Sequence, residues 1–154
     1  MYKKMMVPLD GSELAECVLP HAKAFIKAFN LGDVFLVRVV EPEMPSYRDR
    51  DSINPQAIAQ RESSRKSSAK DYLSQVANGL KHEGTALHIE VILGRVTESL
   101  IDCVKQNDID LILIATHGRS GVTRWVRGSV ADKILRSSTI PVFMIRAPGT
   151  EGGI

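Results

Sequence analysis

The residues most suited to chemistry lie between Leu111 and Ser129, Leu-Ile-Leu-Ile-Ala-Thr-His-Gly-Arg-Ser-Gly-Val-Thr-Arg-Trp-Val-Arg-Gly-Ser. Leu111 to Ala115 has the length and β-branching of a buried strand. The apolar pattern stops at Thr116, and glycines with three arginines follow before a helical pattern resumes at Ser129. A buried strand that empties into such a loop and then into a helix start is suited to holding an anion. Glycines let backbone N–H groups come close to a phosphate, and the new helix offers unpaired N–H groups and the positive end of its dipole. Ser129 can present both its N–H and its hydroxyl to phosphate oxygens.

Each of these residues also has a purely structural use. Ser129 can be only an N-cap, and Gly118 and Gly128 can serve only a turn with positive φ. Arg119, Arg124 and Arg127 can form a solvated face, with one of them reaching a phosphate. Trp125 fits packing or a partner surface better than stacking on a base. His117 has no paired nucleophile nearby in sequence, so no catalytic residue is assigned. His21, His82 and His88 lack ligand spacing, so no structural metal site is expected. The two standard phosphate signatures are missing. No G-x-x-x-x-G-K-[ST] occurs, and no G-x-G-x-x-G follows the first strand.

The elements that must position this loop are legible in order. Lys4 to Leu9 reads as a first buried strand, with Pro8 near its end. Asp10 to Glu13 has the spacing of a capping box, and Asp10 can be a cap as well as a ligand contact. Apolar positions from Leu14 to Phe29 predict an amphipathic helix kinked at Pro20. Asp33 to Val40 is a second strand, and Glu41 to Asn54 a long exposed loop. A helix is expected from about Pro55 to Glu83, its polar middle, Gln60 to Ser68, being a solvated face or frayed. Leu87 to Leu93 reads as a half-exposed edge strand. A third helix begins at Thr97 and Glu98 and ends near Asn107, a fourth spans Ser129 to Ser137, and Pro141 to Ile145 is the last strand. Alternating strands and helices call for right-handed crossovers and a parallel sheet covered on both faces. Ligands of such sheets sit outside the carboxyl ends of the strands, at the switch in strand order. Asp10, the Val39-Val40-Glu41 exit and the Thr116 to Ser129 stretch should therefore meet.

The 154 residues suit one domain, residues 1–147 with a flexible tail over 148–154, and the 44% hydrophobic and 25% charged composition is that of a globular protein. A net charge of +2 gives no reason to invoke nucleic acid or a membrane surface. Cys17 and Cys103 fall in apolar helical patterns and read as buried, reduced thiols. No apolar run approaches the roughly 18 residues of a membrane span, and the start lacks a secretory apolar core, so a cytoplasmic location is expected.

With these residues in place, the chain resembles the universal stress proteins of the single-domain, ATP-binding type. That family carries G-x-x-G, nine residues, then G-[ST], directly after its fourth strand. Here Ala115-Thr116-His117-Gly118 and Gly128-Ser129 stand in those places with nine residues between Gly118 and Gly128. The opening Val7-Pro8-Leu9-Asp10-Gly11-Ser12, the Gly94-Arg95 turn and Ile140-Pro141-Val142 also match. The resemblance covers about Lys4 to Arg146. It implies an α/β fold, a single doubly wound, Rossmann-like domain with a five-stranded parallel sheet in the order 3-2-1-4-5 and two helices on each face. It also implies ATP as the ligand, with Mg²⁺ or Mn²⁺ bridging the phosphates. Asp10 would meet the adenine or ribose, and Val39 or Val40 the adenine through backbone groups. Gly118 and the residues after it would wrap the triphosphate, and Gly128 and Ser129 would donate from the helix start. The full set of contacts implied is Pro8, Leu9, Asp10, Val39, Val40, Ala115, His117, Gly118, Arg119, Gly128, Ser129 and Val130. Ala115 departs from the family's first glycine, and its methyl group should weaken binding more than abolish it.

These expectations describe an ATP-binding regulatory module with at most weak hydrolysis, read by a protein partner or by its dimer mate. An ATP-using enzyme on the same fold and a dimer that has lost nucleotide binding remain as alternatives. A homodimer is expected through Val142 to Ile145, an apolar run that is a sheet edge in the family's order.

Overall fold

A computed structural model describes residues 1–44, 54–116 and 130–148. Five strands, β1 (Lys4–Pro8), β2 (Asp33–Val40), β3 (Ala86–Leu93), β4 (Leu111–Thr116) and β5 (Val142–Arg146), form one sheet in the order β3-β2-β1-β4-β5. Every neighbouring pair is parallel. The connecting helices are α1 (Leu19–Phe29), α2 (Pro55–Leu80), α3 (Val96–Gln106) and α4 (Val130–Ser137).

The strand sequences explain why the sheet is buried on both sides. Side chains alternate between faces along a strand, and an apolar run supplies both. Met5, Val7, Val34, Leu36, Leu111 and Leu113 pack with Ala22, Ile26, Leu73 and Leu80, residues of α1 and α2. Met6, Phe35, Val37, Ile112 and Ile114 pack with Leu100, Cys103, Ala131 and Ile134, residues of α3 and α4. Two helices thus cover each face, as the resemblance implies. β3 is an edge with mostly half-buried residues, in agreement with its alternating sequence.

Local chemistry corrects several sequence expectations. The stretch before Pro20 forms a 3₁₀ turn, Ala15–Val18, and α1 starts at Leu19, which puts Pro20 in its first turn. There the missing N–H needs no partner, so no kink follows. The capping role falls to Ser12, whose Oγ accepts from the Ala15 N–H at 3.2 Å. Asp10 instead holds Ser12, its Oδ1 accepting from the N–H at 2.9 Å and from the hydroxyl at 2.6 Å. Gly11, at φ +86, permits the turn between them. The polar middle of α2 is not frayed: the helix is continuous from Pro55, with Asn54 capping it through the Gln56 N–H at 3.0 Å. Cys103 is buried, but Cys17 is only partly so. Ala147 is 2% exposed, and its N–H donates to the Thr116 carbonyl at 3.0 Å. Most of the expected Glu41 to Asn54 loop, residues 45–53, and the tail over 149–154 lie outside the described residues.

Candidate functional site

The carboxyl ends of β1 and β2 open into a cleft of about 310 Å³. Asp10 enters it from the turn after β1, and Arg38, Val39, Val40 and Glu41 from the end of β2. Ser64, Arg65 and Ser68 on α2 make a second wall, and Val96 at the start of α3 contributes an apolar spot. The topology explains the gathering. In a parallel sheet every strand delivers its loop to the same edge, and β1 lies where the order reverses, between β2 and β4.

The three residues read as the nucleoside end, Asp10, Val39 and Val40, do meet in this cleft. Pro8, Leu9, Ala115 and Val130 are not among its lining residues. The Leu9 N–H is spent on the Val37 carbonyl at 2.9 Å, which extends the sheet by one rung. Ala115 is 6% exposed and pairs with Ile145, so its side chain belongs to the core under the edge. Val130 is the first residue of α4, packed against the core on the α3 side. His117, Gly118, Arg119, Gly128 and Ser129, with Arg124, Trp125 and Arg127, lie outside the described residues.

Polar side chains fix the shape of the cleft. The hydrogen bonds of Ser12 orient the Asp10 carboxylate. Arg65 Nη1 donates to the Glu41 carbonyl at 3.0 Å and so ties α2 to the exit of β2. The Val40 carbonyl accepts from the Gly94 N–H at 3.0 Å, which leaves its second lone pair for another donor. Behind the cleft, the Tyr72 hydroxyl donates to Glu16 at 2.9 Å, and the Arg38 guanidinium lies over the Tyr72 ring, 5.4 Å from its centre. Burial pushes the Tyr72 phenol well above its ordinary pKa. The Glu16 hydrogen bond and charge and the Asp10 charge push the same way, and Arg38 opposes them.

Sequence reasoning missed Arg38, Ser64, Arg65, Ser68 and Val96. A signal for Arg38 was present: a cation inside the β-branched run Val37-Arg38-Val39-Val40. Ser64, Ser68 and Tyr72 recur at i, i+4 and i+8 and so share a helix face, but in a polar run this spacing resembles any solvated face. Among the described residues no group of three or more His, Cys, Asp or Glu could hold a metal ion. Nor is any described helix long and apolar enough to cross a membrane.

A doubly wound α/β domain with a polar cleft at the carboxyl edge of its sheet is thus the class that fold and site define. Residues 1–146 match the universal stress protein family, and the chain belongs to that family. It is 26% identical over 156 residues to universal stress protein MJ0577 of Methanocaldococcus jannaschii, a match covering 95% of this chain and 96% of that one. A solved structure of MJ0577 superposes with a TM-score of 0.78 at 25% identity, over 97% of this chain and 99% of the other. More distant structures share the fold. A universal stress protein from Archaeoglobus fulgidus in complex with dAMP gives a TM-score of 0.60 at 20% identity, covering 94% of this chain and 98% of that one. A family member from Arabidopsis thaliana with AMP bound gives 0.63 at 15% identity, covering 98% of this chain and 96% of its own.

Proposed function

We propose that the protein is a nucleotide-controlled regulatory module that binds ATP at this edge of the sheet. The observation that carries the reading is the convergence of Asp10, Val39 and Val40 on one cleft beside the switch in strand order. An oriented carboxylate accepts hydrogen bonds from sugar or base, and the exit of β2 offers backbone groups to a base edge. The phosphates would extend toward the stretch after β4, where Gly118, Arg119, Gly128 and Ser129 precede the start of α4. A Mg²⁺ or Mn²⁺ ion would take its ligands from the phosphates and water. AMP and dAMP on the same fold support an adenine nucleotide as the ligand.

Binding without efficient turnover fits the chemistry of the described residues. Burial raises the pKa of Cys17 and of Cys103, which keeps both thiols protonated and poorly nucleophilic. His21, His82 and His88 lie outside the cleft lining. We read the output as a change in the loop after β4, sensed in the cytoplasm by a partner protein or by the second subunit of a homodimer. The edge position of β5, with Phe143 48% and Met144 37% exposed, supports that dimer.

Thermal unfolding with and without ligand tests the reading. ATP at 100 times its Kd stabilises the native state by about 2.7 kcal/mol, a rise in Tm of roughly 5–10 °C for a chain of this size. Ser129→Ala and Gly128→Val should lose most of that rise, measured against each variant's own unliganded Tm. No rise for the wild type at millimolar ATP would overturn the proposal and favour a dimer without nucleotide.

A further inference from the structure

Arg38 is held in place by packing, with its hydrogen-bond donors left to the cleft. Its guanidinium lies on the Tyr72 ring on one side, 5.4 Å from the ring centre. It also lies close to Gly11, where an added Cβ would be only 2.9 Å from Nη1 and 3.0 Å from Cζ. Tyr72 is itself tethered to Glu16 at 2.9 Å. The five N–H groups of Arg38 have no hydrogen-bond or ion-pair partner among the described residues, and the residue is partly buried and lines the cleft. A guanidinium packed in place has already lost rotamer freedom and binds an acceptor with less entropic penalty than a free one.

We propose that Arg38 is a recognition residue of the cleft and donates to an acceptor on the nucleoside part of the ligand, rather than to its phosphates. This inference rests on the nucleotide-binding reading. The nucleoside assignment follows from position in the sheet. Arg38 leaves β2, on one side of β1, whereas the phosphate-binding candidates follow β4, on the other. Two strand spacings, about 10 Å, separate those exits. Arg38 also sits against the Asp10-Gly11 turn and two residues before Val40, the positions assigned to ribose and adenine. Donors of Arg38 beside the acceptor of Asp10 give the cleft the mixed pattern that sugar hydroxyls and purine edges require. Gly11 is then needed twice: for its positive φ, and because any side chain there would displace the guanidinium.

The test is calorimetric titration of Arg38→Met and Arg38→Lys with adenosine and with ATP. Methionine keeps the apolar stem on Tyr72 and removes every donor, and lysine keeps the charge without the flat fork. Arg38→Met should weaken adenosine and ATP by the same factor, roughly 10- to 100-fold, with Arg38→Lys in between and the unliganded Tm of both near wild type. Unchanged affinities in variants that fold normally would overturn the proposal and leave Arg38 a packing residue. So would a loss confined to ATP, which would make the contact one to phosphate. If Arg38→Met fails to fold, Arg38→Lys decides by the same comparison. A wild type that binds neither ligand would refute the nucleotide reading and this proposal together, whereas binding by the wild type with indifferent variants would refute this proposal alone.

Discussion

At the turn after β1 one carboxylate does two jobs. Asp10 fixes Ser12 through two hydrogen bonds, and Ser12 in turn caps the Ala15–Val18 turn, so the group that faces the cleft also shapes the chain leading to α1. The spacing offered Asp10 as a helix cap; in the structure Asp10 holds the capping residue Ser12 instead, while the residue lines the cleft. The capping-box spacing pointed to the wrong residue because Gly11, at φ +86, turns the chain between Asp10 and Ser12 and leaves the cap to Ser12, which a spacing rule does not register. Tyr72 yields a prediction at this scale. Its raised pKa means that folding favours the neutral phenol. The associated stability is therefore fully present below the unfolded value of about 10 and falls as pH rises beyond it. Tyr72→Phe keeps the ring under Arg38 and removes the bond to Glu16. It should cost about 1–2 kcal/mol at pH 7 and flatten the decline in stability above pH 10, as read from urea unfolding midpoints across that range.

Among the elements, α2 and β5 carry the consequences. The polar run in α2 is uninformative as sequence, because solvated and cleft-facing residues are equally polar. Only the third dimension shows Ser64, Arg65 and Ser68 turned toward the end of β2. Ala69, Leu73 and Ala77 supply the buried stripe that seats the helix and so sets that wall. β5, by contrast, was legible as an apolar strand from its own residues, while its place at the edge came from the family's strand order; an apolar edge strand invites pairing. Phe143 is partly used within the chain, edge-on to Phe25 with ring centres 5.0 Å apart, but it and Met144 remain substantially exposed. If this edge is the dimer contact, Met144→Lys should shift the protein from dimer to monomer in sedimentation velocity. It should leave unfolding of the monomer within about 0.5 kcal/mol of wild type, as for a surface substitution.

For the whole molecule, periodicity and connection rules were enough to place five strands and four helices in a doubly wound sheet, because each apolar run serves both faces and each crossover must be right-handed. The strand order came from the family resemblance, since alternation alone does not say which strand lies at the edge. The same resemblance implied a set of ligand contacts, of which Asp10, Val39 and Val40 share one cleft, whereas Pro8, Leu9 and Ala115 are buried and do not line it. What the sequence could not show was that Ser64, Arg65 and Ser68 on α2 meet Arg38 and the exit of β2, since nothing local links these distant residues. The most direct measurement is the heat of ATP binding to the wild-type protein in Mg²⁺, repeated with Asp10→Ala. The account predicts a Kd near the micromolar range, about −8 kcal/mol, and weaker binding by the variant. No heat at millimolar ATP, or equal affinity in the variant, would contradict it.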